Sequence, residues 1–241
     1  MRALAPRAGG WMLLAAVALA GGGCSVKAED NANLIRGKQQ FVAKCGSCHA
    51  LSRANTKGVI GPNLDEAFRQ SIAEGLRRST VRGVVEGQVL NPNSEGAMPK
   101  GLAGGATLRD IAAYVAQVVD RSGQDTGLLA SAVAAPGSGA PAVEKAGKLQ
   151  IAAAPSGQLA YVTNKALAGA GPLAIEMPNN SGVSHNIAVQ QGTSGPVLGA
   201  SSFISTGATS VKVALKPGTY TFFCQVPGHR QAGMEGTLAV K

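Results

Sequence analysis

Histidine, cysteine and aromatic residues are all scarce in this chain of 241 residues, which narrows the chemistry open to it. There are three histidines and four cysteines, and aromatic residues make up 4% of the sequence. Charged residues make up only 15%, while glycines number 33. This composition suits small, loop-rich domains better than a large enzyme core, and the length allows two modest domains.

Long hydrophobic runs and clusters of positive charge are also lacking. The apolar run at residues 11–19 is too short to span a bilayer, and with Arg2 and Arg7 before it, it predicts an export signal over residues 1–23. The net charge of +9 is not gathered into basic runs interleaved with aromatic residues. Nucleic-acid binding is therefore disfavoured, and the charge favours docking on an acidic partner protein or a membrane surface.

The end of the signal segment leaves two processing routes open. Residues 19–24 resemble a bacterial lipoprotein box, although Gly21 stands where that box usually has leucine. The resemblance implies lipid modification of Cys24, a short tether over residues 24–30, and a periplasmic protein held at the extracytoplasmic face of a bacterial membrane. The alternative is cleavage after Ala20, which would leave Cys24 as a free exported thiol.

The mature chain divides into three parts of different character. Residues 31–121 are predicted to be mainly helical, with a helix beginning where Thr107 is followed by Asp110. Residues 122–146 are rich in Ala, Gly, Ser and Pro, which predicts a flexible linker. Residues 147–241 alternate in short segments, which predicts a β-sandwich. The predicted strands lie at about 148–153, 158–162, 172–177, 184–190, 209–215, 218–224 and 236–240. The expected fold is thus an all-α domain followed by an all-β sandwich.

The motif Cys45-Gly46-Ser47-Cys48-His49 is the attachment pattern of a covalent c-type haem. On a helix, the side chains of Cys45, Cys48 and His49 would share one face. Both sulfurs could then reach one edge of the porphyrin, and the histidine could bind the iron. Two alternatives are a thioredoxin-like redox motif and half of a zinc site. The first does not explain the adjacent histidine, and the second needs another Cys or His pair nearby, which the sequence lacks.

With its flanks, this motif resembles class I cytochrome c over residues 31–121. Gly37 and Phe41 precede the motif where that family crosses its first and last helices, and Tyr114 in the last helix would meet them. The resemblance implies that the carbonyl of Pro62 accepts a hydrogen bond from His49, which orients the ring.

The same resemblance implies that Met98, in a Gly- and Pro-rich loop before the last helix, is the sixth iron ligand. Methionine is more commonly a core residue, but Met98 is the only one in residues 31–121. A haem held between His49 and Met98 has no open coordination position, which favours electron transfer over oxygen chemistry.

A second group of ligand types lies near the C-terminus. Cys224, His229 and Met234 are each separated by four residues, and His185 lies upstream. Two His, one Cys and one Met are the ligands of a type 1 copper site. The strand alternation places His185 and Cys224 on apolar, core-facing sides.

Residues 147–241 resemble the cupredoxin family of blue copper proteins. The four-residue gap from Cys224 to His229 is most similar to the rusticyanin and sulfocyanin group, whereas plastocyanins have a shorter gap. The resemblance implies a Greek-key sandwich with copper at one end. It also implies that Asn186 ties the two ligand loops together by hydrogen bonds.

These motifs together predict an exported one-electron carrier, not an enzyme, that relays electrons between haem c and type 1 copper within a respiratory chain. Its partners would be a respiratory complex, a terminal oxidase or reductase, or a small electron carrier. All three histidines are assigned, so none is left for a catalytic copper. Two alternatives stay open: a haem enzyme or sensor in which Met98 is displaced, and a copper module for delivery or storage.

Overall fold

The computed structural model describes residues 31–241. The predicted signal over 1–23, the tether over 24–30 and the lipidation site at Cys24 lie outside the described residues. From Ala32 to Lys241 the chain forms one compact unit. In the described part, every helix is too short or too polar to cross a bilayer.

The first part of the described chain is helical. Its helices are α1 (Leu34–Lys44), α2 (Leu64–Ala73), α3 (Arg78–Leu90), α4 (Gly105–Val118) and the short α5 (Leu128–Ser131), with a small hairpin of β1 (Ala50–Leu51) and β2 (Thr56–Lys57) after α1. Asparagine side chains cap the first two helices. Asn33 accepts the backbone N–H of Arg36 over 2.9 Å, and Asn63 accepts that of Asp65 over 3.0 Å. Each cap satisfies a donor that the first helical turn leaves free.

Helices α1 and α4 cross at Gly37. A Cβ atom on Gly37 would lie 2.2 Å from the carbonyl oxygen of Asp110 and 2.8 Å from the Cβ of Tyr114, so only glycine allows this approach. One turn further on, the rings of Phe41 and Tyr114 lie 6.3 Å apart, and both are buried. The structure thus brings together the three residues that the sequence placed at this crossing.

The start of α4 differs from the prediction. The helix begins at Gly105 without a side-chain cap, and the carboxylate of Asp110 has another role. It accepts the backbone N–H of Asn33 over 2.8 Å and pairs with the Arg36 guanidinium. The Thr107–Asp110 pattern was therefore wrong as a capping signal, because the carboxylate holds the start of α1 instead.

Residues 122–146 are not the flexible coil that their composition predicts. The carboxylate of Asp125 lies 3.0 Å from the Lys38 ammonium, with both groups buried, and accepts the hydroxyl of Tyr114 over 2.9 Å. Lys38 also donates to the carbonyl of Leu129 over 2.8 Å. Further on, β3 (Ala142–Val143) joins the edge of a sheet. Low-complexity composition conceals these attachments because their partners lie far away in sequence.

The C-terminal part is a β-sandwich. One sheet has the order β3-β5-β11-β10-β7-β8 and the other β4-β6-β9. The strands are β4 (Lys148–Gln150), β5 (Lys165–Ala168), β6 (Gly171–Asn179), β7 (Ala188–Gln191), β8 (Val197–Ala200), β9 (Gly207–Leu215), β10 (Gly218–Phe223) and β11 (Glu235–Val240). Most pairs are antiparallel, but β5 runs parallel to both β3 and β11, and β4 runs parallel to β6.

The two sheets enclose one apolar core, to which Met177 contributes as the strand alternation predicts. The strand boundaries are less well predicted. Residues 158–162 form no strand, while β5 and β8 were missed. Residues 158–161 are all buried. Tyr161 forms only an isolated β-bridge with Ala153, and it donates its hydroxyl to the carbonyl of Asn186 over 2.7 Å.

Candidate functional site

Three ligand atoms of the sandwich converge on one point. The Nδ1 atoms of His185 and His229 lie 3.1 Å apart, and the Cys224 sulfur lies 3.9 Å from the first and 3.6 Å from the second. The point equidistant from all three atoms is about 2.1 Å from each, close to the length of metal–nitrogen and metal–sulfur bonds. The three residues are buried and fit a trigonal metal site.

The site lies where several loops meet at one end of the sandwich. His185 precedes β7 and exchanges backbone hydrogen bonds of 2.9 Å with Ile204. Cys224 directly follows β10, and the loop after it folds back on itself. The N–H of Cys224 donates to the carbonyl of Met234 over 3.1 Å, and the N–H of Met234 donates to that of His229 over 2.9 Å. Met234 is itself buried in the same core cluster as Cys224.

Asn186 joins the two ligand-bearing segments. Its Oδ1 accepts the backbone N–H of Gln225 over 2.8 Å, and its Nδ2 donates to the Gln225 side chain over 2.9 Å and to the carbonyl of Ser201 over 3.2 Å. The residues beside His185 and Cys224 are thereby held together. This is the link that the cupredoxin resemblance implies for Asn186. Gln225 was not identified from the sequence as the partner of Asn186, because only folding brings these two residues together.

Burial sets the protonation of the ligands. It lowers the pKa of His185 to about 4, helped by the nearby His229, and it also lowers the pKa of His229. Both imidazoles are therefore neutral and free to bind a metal at neutral pH. Burial raises the pKa of Cys224, although the backbone N–H groups of Asn186 and Val226 oppose this shift. A bound cation would displace the thiol proton.

A His2Cys plane with a methionine nearby is the donor set of type 1 copper. Copper in such a site would change oxidation state by one electron. The ligands come from a buried, hydrogen-bonded framework, so they have little room to rearrange between the two states. In chemical terms the site suits electron transfer.

A second group of predicted residues surrounds a cavity in the helical part. The cavity has a volume of about 560 Å³ and a mainly apolar lining. Such a volume is typical of ligand sites in proteins. The predicted residues on its wall are Cys45, Cys48, His49, Pro62 and Met98. The structure thus brings together residues that are up to 53 positions apart in the sequence, counted from Cys45 to Met98.

The cysteine motif lies in the turn that follows α1, since the helix ends at Lys44. The N–H groups of Cys48 and His49 both donate to the carbonyl of Cys45, over 3.1 and 2.9 Å, so a helix-like turn continues. The motif therefore keeps its three side chains near one another without lying in the helix proper. Gly46 allows the turn, because a Cβ atom there would lie 2.5 Å from the Thr56 side chain.

The ring of His49 is held from two sides. Its Nδ1 lies 2.9 Å from the carbonyl oxygen of Pro62, which can only accept, so Nδ1 carries the proton and Nε2 has a free lone pair. Gly61 packs on the ring, where a Cβ atom would come within 2.4 Å of Cε1. The sequence did not reveal this role of Gly61, because it depends on the fold of the loop.

The two thiols of the motif differ in burial, since Cys45 is buried and Cys48 is half-buried. Burial raises the pKa of Cys45 to about 12, with the nearby Cys48 adding to the shift. The Cys45 thiol is therefore protonated at neutral pH.

Comparison with known proteins gives a family match for the sandwich. Residues 149–241 match the family model described as copper binding proteins, plastocyanin/azurin family. Among solved structures, auracyanin B is 27% identical, over 44% of this chain and 96% of its own, with a TM-score of 0.37. Auracyanin from Roseiflexus castenholzii is 23% identical, over 41% and 99%, with a TM-score of 0.37.

Reduced rusticyanin is 15% identical, over 42% of this chain and 84% of its own, with a TM-score of 0.31. No curated protein sequence matches this chain. The family match and the geometry of His185, Cys224 and His229 lead to one conclusion: residues 149–241 form a cupredoxin (blue copper) domain with a copper-site group in its core.

Proposed function

We propose that this protein is a one-electron carrier with two redox centres, a type 1 copper in the sandwich and a covalent c-type haem in the helical part. The copper would be held by His185, Cys224, His229 and Met234. The observation that carries the second centre is the 560 Å³ cavity, whose wall holds both cysteines of the CxxCH motif. When bound, the two metals supply one-electron redox chemistry.

The chain's own residues support haem in this cavity. Cys45 and Cys48 offer two thiols for covalent attachment at one side of the apolar space. His49 offers Nε2 to the iron because Pro62 engages the other ring nitrogen. Met98 also lines the cavity and is half-buried, so its sulfur is a candidate for the sixth iron ligand. The crossing of α1 and α4 at Gly37 also supports the proposal, because it is the helix crossing that the resemblance to class I cytochrome c implies.

Electron transfer is favoured over catalysis because no ligand position is left open for a substrate. All three histidines of the chain serve the two centres. Met98 would bind the remaining position of the haem iron, and Met234, which is buried in the core cluster that contains Cys224, would bind the copper. Binding of carbon monoxide to the reduced haem would instead favour a haem enzyme or sensor. Rapid loss of copper to a chelator would favour copper delivery.

We further propose that the protein is exported through residues 1–23 and anchored at the membrane surface by lipid on Cys24. Its partners would then be redox proteins on the same face, such as a respiratory complex, a terminal oxidase or reductase, or a small electron carrier. Removal of residues 1–23 takes away Arg2 and Arg7, so the net charge falls from +9 to +7, which supports docking on acidic surfaces. Mass spectrometry of the mature N-terminus from an exporting bacterial host tests the lipid, and cleavage after Ala20 would contradict it.

The test of the two centres is the visible spectrum of the exported, copper-loaded protein during stepwise reduction without oxygen. We expect haem bands and a separate thiolate-to-copper band that bleach at their own potentials. Cys224→Ser should abolish only the copper band, and Cys48→Ser should impair only covalent haem attachment. Each variant is the control for the other. Absence of haem in a host that attaches c-type haem to other proteins would overturn the second centre.

A further inference from the structure

We infer that Val59 and Gly228 form the internal contact through which electrons pass between the haem cavity and the copper site. This inference rests on the proposed function and specifies where the two centres communicate. The Cγ2 methyl of Val59 lies 3.0 Å from the position that a Cβ atom on Gly228 would occupy. Gly228 directly precedes the copper ligand His229. The contact therefore joins the helical part of the chain to the copper-ligand loop itself.

On the copper side, the contact reaches the loop that carries the ligands. Gly228 has a φ of +83°, a left-handed conformation that turns the chain immediately before His229. Gly233, directly before Met234, faces the segment of the helical part that begins at Lys57 and contains Val59. A Cβ atom on Gly233 would lie 4.0 Å from the Lys57 ammonium. Both ends of the loop from His229 to Met234 thus face the segment that begins at Lys57.

On the haem side, residues 58–61 are clamped onto the CxxCH motif. A Cβ atom on Gly58 would lie 2.4 Å from the carbonyl carbon of Cys48, and one on Gly61 would lie 2.4 Å from the His49 ring. The N–H of Gly61 also donates to the carbonyl of Cys48 over 2.8 Å. Both ends of this segment are therefore fixed, and Val59 lies between them.

Val59 is separated from the wall of the haem cavity by a single step along the chain. Ile60, next to Val59, lines the cavity that the CxxCH cysteines and His49 also line. The route from His229 to the cavity wall thus consists of Gly228, one van der Waals contact, Val59 and Ile60. Val59 is still 66% exposed, so the contact is narrow. Electron transfer needs proximity and not a large area, and a single side chain can therefore control it.

The step conserves charge and atoms. When bound, the two metals would exchange one electron, so that one would be oxidised and the other reduced by one unit, while Gly228, Val59 and Ile60 would supply the path. No bond forms or breaks, and no proton is required. The contact works in either direction, and the two potentials decide which direction is downhill.

The first test measures electron equilibration after one centre is reduced by a short pulse, in protein loaded with haem and copper. The wild type should give a first-order rate that does not depend on protein concentration. Val59→Trp replaces the methyl group that faces Gly228 with a bulky indole and should lower that rate about tenfold or more, because small displacements of reacting groups slow reactions steeply. Val197→Trp is the control, since Val197 is exposed and lies in β8, which pairs with β7 at the end far from His185.

The outcomes separate this inference from the proposed function. If either metal spectrum is missing from the wild type, the two-centre carrier is wrong. If both spectra are present but the rate depends on concentration, or Val59→Trp equilibrates as fast as the wild type, only the contact is overturned. Should Val59→Trp fail to incorporate haem, Val59→Ala replaces it. That variant removes the contacting methyl groups and should also slow the transfer.

The second test does not depend on electron transfer. The fully reduced protein is diamagnetic, so its proton resonances can be assigned by nuclear magnetic resonance. We expect nuclear Overhauser effects between the Val59 methyl groups and the α protons of Gly228, and none between the Val197 methyl groups and those protons. Their absence for Val59 in assigned spectra would overturn the contact, even if both metals are bound.

Discussion

The side chain of Asn186 forms two hydrogen bonds with Gln225, accepting its backbone N–H over 2.8 Å and donating to its side-chain oxygen over 2.9 Å. Asn186 follows the ligand His185, and Gln225 follows the ligand Cys224. The two segments that supply the copper ligands are therefore joined one residue away from the metal position. The framework exists independently of the metal, because it consists of amide groups only.

We expect Asn186→Ala to destabilise the copper-free protein and to loosen the site. The change removes the hydrogen bonds that the buried Asn186 side chain forms with Gln225 and Ser201, each of which contributes about 0.5–1.5 kcal/mol. Urea unfolding of the copper-free protein measures this loss, and the rate of copper transfer to a chelator, which should rise, measures the loosening. Asn180→Ala is the control because Asn180 is exposed. Equal copper-transfer rates in Asn186→Ala and wild type would show that the link does not support the site.

Two glycines of the helical part should respond in opposite ways to replacement by alanine, because only Gly37 lies where α1 and α4 cross. Gly37→Ala should lower the free energy of unfolding by about 1–3 kcal/mol, since its methyl group would overlap the carbonyl of Asp110. Gly83→Ala, in the middle of α3 with open space around its Cβ position, should raise stability by about 0.5–1 kcal/mol. Thermal unfolding of both variants tests the pair. A tolerated methyl group at Gly37 would mean that the helices do not approach this closely.

The buried carboxylate of Asp125 tests whether residues 122–146 are packed or free. Asp125→Asn leaves the buried Lys38 ammonium without its counter-charge, and breaking such a pair costs about 3–5 kcal/mol. Proteolysis within residues 126–146 should become faster as this attachment weakens. Asp120→Asn is the control, because its ion pair with Arg69 is largely exposed and contributes about 0–1 kcal/mol. Rapid cleavage of the wild type in this segment would show that it is the flexible linker that its composition predicts.

The pairing of Asp110 with Arg36 makes stability depend on acid pH. Burial alone would raise the pKa of Asp110, but hydrogen bonds from Arg36 and from the N–H of Asn33, with the charges of Arg36 and Arg109, lower it overall. A carboxylate with a lowered folded-state pKa contributes stability above its unfolded pKa of about 3.9, and this stability is lost as the pH falls through the folded value.

Chemical unfolding at several pH values measures that contribution. Wild type and Asp110→Asn should differ most near neutral pH, where the carboxylate is charged, and the difference should shrink as the pH drops below about 4. Asp120→Asn is again the control and should differ little from wild type across the range. If the difference in the free energy of unfolding between wild type and Asp110→Asn stayed constant down to pH 2, the charge of Asp110 would not stabilise the start of α1.

Much of the chemistry was readable from short stretches of sequence. The Cys45–Cys48–His49 motif and the Cys224–His229–Met234 spacing each lie within eleven residues, so residue type and separation almost define which atoms can share a ligand. His185 was found from its residue type and from the apolar residues Ile187 and Val189 at alternate positions after it, although it lies before β7 and not within a strand. The two-part character of the chain followed from the change in hydrophobic period between residues 121 and 147.

The strand limits and the linker were less readable, for a common reason. The hydrophobic pattern records which side chains are buried and not how far the backbone pairing extends. The segment around Tyr161, which forms only an isolated β-bridge with Ala153, was therefore predicted as a strand, while β5 and β8 were missed. The small residues of the linker likewise concealed Asp125, whose partner Lys38 lies 87 positions earlier.

By itself, the sequence determined the copper-site group and predicted the residues proposed to hold haem, because ligand chemistry is a property of side-chain type and close spacing. Only the tertiary structure decided how those residues are held and connected. The amide link from Asn186 to Gln225, the clamping of Gly61 on His49, and the approach of Val59 to Gly228 all join distant segments. Such contacts depend on packing between surfaces that form only when the chain has folded, so no local pattern contains them.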